Sequence, residues 1–338
     1  MSILFDIKHV AHINFFKPTI ERLVSEGEDV LISYIHRGRL PKIIKAEFPN
    51  IPAYPIGSHK GNTFSILFEA NFLKFFKSLK LLKKHNINLM LGVDAFVTGF
   101  ACKILGIPNI QFYDDPERKV NLWLEQKTST ELYYPSITDF SNTSVKTYYG
   151  LKEWAYLSPS QFKPSVEALE KYKIAPGEYY FIREVDNGSL NYQGQDSGLI
   201  AQVAHSLSKG IKVILSLENK KSAGLYPDNW QILEEPVQDI HSLMYYSKCV
   251  ISSGDSMARE GAMLGVPSYY VGFRDMAANR FIQKEGLLFV VSPQNLSSML
   301  EKEKGKMISQ DVYRTSLKDK WIDVTNMICE LINKYKYK

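Results

Sequence analysis

VISSGDSMAREGAMLGVPSYYV, residues 250–271, holds four pieces in a fixed order. Val250 and Ile251 end a short apolar run, and residues 252–256 are a small-residue loop. Residues 257–264 have helical spacing closed by Gly265, after which Val266 and Pro267 open a second apolar run to Val271. Strand, turn, helix, glycine stop and strand make a right-handed βαβ unit with its loop at a strand's carboxyl end. Asp255 or Ser256 is placed to cap the helix, and Glu260 falls in its first turns. Unpaired N–H groups at such a helix start attract anions, phosphate above all. The same spacing also serves as an ordinary βα turn, so the motif alone assigns no ligand.

The alternation extends in both directions. Strand patterns fall at residues 2–7, 29–34, 53–56, 88–93 and 107–113, with helical spacing at 15–26 and 95–105 between them. A Tyr- and Thr-rich stretch carries the alternation on to 148–164, where Pro159 and Pro164 suit a connection between domains. A second set follows: strands at 179–183, 211–217, 230–233 and 289–291, another ending at Phe273, Arg274 and Asp275, and helices at 198–209 and 239–247. The predicted fold is α/β, two doubly wound Rossmann-like domains facing a crevice. The predicted divisions are a first domain over 1–150, a connection over 151–178, a second domain over 179–320 and a C-terminal helix over 321–338 that packs back on the first domain.

With 338 residues the chain is long for one core and natural for two α/β domains. Its 45% hydrophobic and 23% charged residues are those of a soluble globular protein. Cys102, Cys249 and Cys329 form no metal-type pair; the first two lie in apolar runs and read as buried thiols of a reducing compartment. Met1 and Ser2 run directly into a strand pattern, with no signal peptide and no apolar run of membrane-span length, so the expected location is cytoplasmic. The net charge is +5; residues 1–150 hold 18 Lys and Arg against 14 Asp and Glu, and the remainder 23 against 22. The excess in the first half points to an anionic partner there, without any nucleic-acid-binding signature.

Residues 63–85 carry an apolar stripe of Phe64, Phe68, Phe72, Phe75, Leu79 and Leu82, with Lys74, Lys77, Lys80, Lys83 and Lys84 between and after it. One reading is a core-facing helix with a solvated lysine face. The sharper reading is peripheral contact with the anionic inner face of a membrane.

The run from Gly254 to Pro267 resembles the donor-nucleotide motif of two-domain sugar-nucleotide enzymes of the GT-B type. Together with Tyr149-Gly150-Leu151-Lys152-Glu153 and Tyr156-Leu157-Ser158-Pro159, it resembles an uncharacterised prokaryotic family related to glycosyltransferases and the non-hydrolysing UDP-N-acetylglucosamine 2-epimerases. The resemblance implies a second domain that holds a nucleotide sugar, most simply a UDP-sugar, with no tightly bound cofactor and no metal. It implies Glu260 on the ribose hydroxyls, Ser253, Gly254, Asp255, Ser256 and Met257 against the diphosphate, and Glu235, Pro236 and Val237 along the base. A carboxylate suits ribose because it accepts two bonds from vicinal hydroxyls. Arg183 and Arg274, at strand carboxyl ends, are candidates for the pyrophosphate or for salt bridges between domains.

Inverting sugar transfer needs a base beside the acceptor hydroxyl and stabilisation of the departing diphosphate. His9 and His12, read as lying on the loop after the first strand, are candidates, as are Asp94, Asp114, Asp115 and Glu117. Asp94 also stands where the epimerases have an acid. However, residues 181–184 lack the epimerase histidine, and Tyr134-Pro135-Ser136-Ile137-Thr138-Asp139 stands near the place of its PEE-NR sequence. The expected activity is therefore glycosyl transfer from a nucleotide sugar to a glycan or lipid-linked acceptor in surface polysaccharide synthesis. A sugar-nucleotide epimerase and a non-catalytic nucleotide-sugar binder are the competing readings. The sequence carries no signal for an oligomeric state.

Overall fold

The computed structural model describes every residue except 59–71, 138–139, 141–142, 187–191, 193, 208–209, 235–236, 238, 303–308 and 337–338. The chain divides into two compact units, Met1–Tyr156 with Lys320–Lys338, and Leu157–Asp319.

The first unit runs β1 (Ser2–Ile7), α1 (Val10–Ser25), β2 (Asp29–His36), α2 (Leu40–Glu47), β3 (Ala53–Ser58), α3 (Lys74–Lys84), β4 (Leu89–Val93), α4 (Phe96–Leu105), β5 (Asn109–Phe112), α5 (Lys119–Thr128), β6 (Glu131–Pro135) and β7 (Val145–Tyr148). Its seven strands are parallel, in the order β3-β2-β1-β4-β5-β6-β7. The order reverses between β1 and β4, and in such sheets ligands bind outside the strand carboxyl ends at that point. Right-handed crossovers place α3, α4 and α5 on one face of the sheet and α1 and α2 on the other. On the first face Leu81, Leu82, Ala101 and Cys102 pack with Leu4, Leu31 and Met90. The C-terminal helix Val324–Lys336 packs against α1, where Arg22 donates to Asn326 at 2.9 Å.

The second unit runs β8 (Tyr179–Glu184), β9 (Lys212–Leu217), β10 (Gln231–Ile232), α6 (Ile240–Tyr245), β11 (Cys249–Ser252), α7 (Asp255–Met263), β12 (Ser268–Tyr270), α8 (Ala277–Gln283) and β13 (Leu288–Val290), with short helical turns between. Its six strands are also parallel, in the order β10-β9-β8-β11-β12-β13, with the reversal between β8 and β11. Residues 250–271 are thus the βαβ unit beside the reversal. Gly261 sets how closely that unit packs: a Cβ there would lie 2.4 Å from Ser268 Oγ and 2.8 Å from Val250 Cγ2. All three cysteines are buried and free.

Several local expectations change. Helix α1 begins at Val10, so His12 is helical and His9 is the residue that caps it, Nδ1 accepting from Ala11 N–H at 3.2 Å. Histidine is not among the usual capping residues, which hid the helix start. The helix expected at 198–209 is a turn at Gly198 (φ 71°), a short 3₁₀ segment and Ala204–Leu207. Residues 273–275 form no strand end; β12 stops at Tyr270 and a loop follows. Lys74 does not join a solvated lysine face: it is buried and paired with Asp6 at 2.8 Å. Phe64 and Phe68 of the expected stripe lie outside the described residues, as do Glu235, Pro236, Thr138 and Asp139.

Candidate functional site

In the first unit the polar residues gather where the strand order reverses. Lys8 follows β1, and its ammonium reaches across to the Asp94 backbone carbonyl and lies 3.6 Å from Asp94 Oδ2. It also sits 5.0 Å above the Phe96 ring. Asp94 follows β4 with φ 52°, a left-handed conformation rare for a residue with a side chain, of the kind that clusters at functional sites. Its other oxygen accepts from Asn121 Nδ2 at 3.0 Å, so the carboxylate is held from two sides. After β5, Asp114 pairs with Lys152 at 2.7 Å and Asp115 with Arg118 at 3.1 Å. Both aspartates are buried, while Glu117 is exposed.

His12, on α1, lies beside Lys8. Burial, then the charges of His9, Lys152, Lys8 and Lys74, hold its imidazole well below the ordinary histidine value. The ring is neutral at pH 7, and its Nδ1 accepts from the Lys8 N–H at 3.3 Å. The proton therefore resides on Nε2, which makes that nitrogen a donor. Glu125 is the counterpart: burial, then the charge of Asp94, push its carboxyl well above the ordinary range. Tyr134 OH donates to its Oε2 at 3.2 Å. Below the cluster, the Asp6–Lys74 pair is closed by Thr98 Oγ1, 2.7 Å from Asp6 Oδ2, and Ser33 Oγ, 3.2 Å from Oδ1.

The second unit builds its site around Asp255. Helix α7 starts there, with Gly254 as the residue before it and no side chain capping the first turn. This corrects the expected cap: the Asp255 carboxylate turns inward instead. It accepts from Arg259 at 2.9 Å and from Tyr192 OH at 2.7 Å, and lies 3.6 Å from the Arg274 guanidinium. Burial acting alone would raise its pKa, but Arg259, Arg274 and the Tyr192 bond bring it to about 2. Two guanidiniums thus lie against the Asp255 carboxylate at the helix start. Arg259 also donates to Asn279 Oδ1 at 2.7 Å, and the Arg274 N–H to Tyr270 OH at 3.0 Å.

The loop before the helix is equally fixed. Ser252 Oγ accepts from Gly254 N–H at 3.1 Å, and Ser253 Oγ from Val185 N–H at 2.9 Å, which ties the β11 loop to the end of β8. Gln195 donates to the Ser253 carbonyl at 3.1 Å and accepts from Phe273 N–H at 3.3 Å. A Cβ on Gly254 would meet Val185 Cγ1 at 2.6 Å. Ser256 and Met257 are half-buried on the first turn of α7. First-turn N–H groups lack intrahelical partners, so a helix start without a side-chain cap and with Arg274 beside it suits an anionic ligand.

Of the residues expected in this half, Gly254, Asp255 and Arg274 come together. Arg183 is turned toward β9, bonded to Ser216 Oγ at 3.0 Å and Glu218 at 3.2 Å. These partners of Arg183 and Arg274 belong to the second unit itself, so neither pair is a bridge between domains. Glu260 is nearly enclosed, its carboxylate 3.4 Å from His241 Nε2 on α6. Val237 is half-buried. Among the described residues no group of three or more His, Cys, Asp or Glu is placed to hold a metal ion, and no helix is long and apolar enough to cross a membrane.

Sequence reading missed Lys8, Asn121, Glu125, Tyr192, Arg259 and Asn279. Arg259 had a signal: it stands four residues after Asp255, the spacing at which a helical Asp–Arg pair meets. Tyr192 had none, because the sequence around it has no periodicity.

A protein-family model described as "Protein of unknown function (DUF354)" matches residues 173–336. An uncharacterized protein of Methanocaldococcus jannaschii is 22% identical over 295 residues, 79% of this chain and 81% of that one. Among solved structures, the spinosyn forosaminyltransferase SpnP superposes with a TM-score of 0.70 at 12% identity, covering 99% of both chains. The UDP-GlcNAc 2-epimerase of Neisseria meningitidis, bound to UDP-GlcNAc, superposes with a TM-score of 0.66 at 17% identity, covering 99% of this chain and 100% of that one. The chain thus matches the DUF354 family over residues 173–336 and carries, along its whole length, the GT-B type fold that glycosyltransferases share with UDP-GlcNAc 2-epimerases.

Proposed function

We propose that the protein transfers a glycosyl group from a nucleotide sugar, with the second unit holding the nucleotide diphosphate. One observation carries this reading: the start of α7 has no side-chain cap, and two guanidiniums, those of Arg259 and Arg274, lie against Asp255 there. The first-turn N–H groups receive the diphosphate and Arg274 neutralises it. Glu260 meets the ribose hydroxyls, its carboxylate lying 3.4 Å from His241 Nε2. A preorganised positive site stabilises the charge that develops on the departing diphosphate without reorganising at the moment of reaction. UDP is the first candidate nucleotide, since the similar epimerase structure holds UDP-GlcNAc.

In the first unit Asp94 is the base for the acceptor hydroxyl, aimed by Lys8 and Asn121. His12, protonated on Nε2, donates a hydrogen bond rather than removing a proton. The acceptor is a glycan or lipid-linked sugar of a surface polysaccharide. Epimerisation of the nucleotide sugar is the second reading. It is favoured by Glu125, a second carboxyl near Asp94 that burial and the Asp94 charge push well above the ordinary range, since a carboxyl that tends to keep its proton suits the acid role in paired proton transfer.

A thermal-shift panel of nucleotides and nucleotide sugars tests the donor. A ligand bound only by the folded state adds about 2.7 kcal/mol at a hundredfold excess over Kd, and a panel without any shift overturns the reading. Incubation with UDP-GlcNAc alone in deuterium oxide separates the two chemistries: transfer predicts no deuterium at C2, epimerisation predicts its uptake.

A further inference from the structure

We propose that the outer face of α3, α4 and α5 docks on an anionic lipid bilayer surface. The three helices lie side by side on one face of the first sheet, α3 packed on α4 and α4 on α5. They expose large apolar side chains in succession: Leu73 and Phe76 at α3, Phe100 and Ile104 on α4, Val120 and Trp123 on α5. The patch is continuous from α3 to α4, with Phe75 5.2 Å from Phe76 and 5.4 Å from Phe100 between ring centroids. Lys103 Nζ on α4 reaches the Lys127 carbonyl on α5 at 2.7 Å, joining the other edge.

Charge selects the partner. The three helices carry eight lysines, five on α3, one on α4 and two on α5, and all but Lys74 are exposed. Their one acidic residue, Glu125, is buried. Seven exposed cations without an exposed anion disfavour an identical face in a twofold contact, where like charges would meet. Exposed aliphatic side chains such as Leu73, Ile104 and Val120 have no use on a nucleic-acid phosphodiester, whereas the headgroup–acyl boundary takes them up and the aromatic rings with them. Aromatic and aliphatic side chains rimmed by lysine are the composition of a helix face lying in a membrane interface.

This surface does not depend on the donor chemistry, so the two can fail separately. The test is co-sedimentation of the full chain with vesicles of phosphatidylglycerol and phosphatidylcholine, against phosphatidylcholine alone. Binding to the anionic vesicles that weakens with salt is expected, since each lysine near such a surface adds about fivefold to partitioning. Replacing Lys77, Lys80, Lys103 and Lys127 together with Ser is expected to lower it at least about tenfold. Trp123 supplies a local readout: it is 56% exposed, whereas Trp154, Trp230 and Trp321 are buried. Its emission is expected to shift to the blue on anionic vesicles and to be quenched by brominated acyl chains, both lost in Trp123→Phe. Undiminished binding by the lysine variant, an unmoved Trp123 signal, or Phe76→Ser and Phe100→Ser turning a dimer into a monomer without vesicle binding would each overturn the proposal.

Discussion

Arg259 and Asp255 form a buried ion pair one helical turn apart, 2.9 Å from nitrogen to oxygen, at the start of α7. Among the described residues, Arg259→Leu leaves Asp255 with the more distant Arg274 and the Tyr192 hydroxyl. Removing one partner of a buried pair costs about 3–5 kcal/mol, because the remaining charge stays desolvated. Denaturant unfolding is expected to show a loss of that size, and a loss below about 1 kcal/mol would mean the pair behaves as a surface bridge.

Asp6 and Lys74 make the equivalent prediction for the first unit. Lys74→Met strands a carboxylate of 0% exposure and is expected to cost a similar amount, about 3–5 kcal/mol. Asp6→Asn combined with Lys74→Met is expected to regain much of it, because neutral groups pay no ionic desolvation. Equal losses in the single and double variants would refute the account.

The two pairs also mark how far the sequence could be read. The alternation of strands and helices followed from period and spacing: apolar runs such as Leu89–Val93, each closed by a polar residue, suit parallel, doubly covered sheets. The βαβ stretch at 250–271 was legible for the same reason. Long-range pairing was not, because Lys74 meets Asp6 across 68 residues and nothing local separates it from its exposed neighbours. His12 was misplaced because a capping histidine precedes it. The inward turn of Asp255 was hidden because an Asp at a helix start has an ordinary capping role, which here gives way to a buried arginine.

Acid sensitivity is expected from Glu131. Burial would raise its pKa, but bonds from Lys146, Tyr133 and Tyr335 of the C-terminal helix bring it down to about 2. The folded value lies below the unfolded one, so the unfolded chain binds the proton first as pH falls. The contribution is complete above about pH 4.5 and drains away as pH falls toward 2. Unfolding midpoints of the native chain and Glu131→Gln are expected to converge across that window, and parallel curves would contradict this.

Asp94→Asn keeps the size and the Asn121 contact while removing the basic oxygen. If Asp94 takes the acceptor proton, turnover is expected to fall about 10²–10⁴-fold, with nucleotide-sugar affinity within about threefold, less than 1 kcal/mol. Calorimetric binding alongside a transfer assay separates the two effects. Near-native turnover would move the base elsewhere in the cluster.

The central claim is that the start of α7 with Arg274 holds a nucleotide diphosphate, and calorimetric titration with UDP and with uridine meets it most directly. UDP is expected to bind more tightly than uridine, and Arg274→Ala is expected to erase most of that difference while leaving uridine binding unchanged. No binding of UDP, or an advantage over uridine that survives Arg274→Ala intact, would contradict the account.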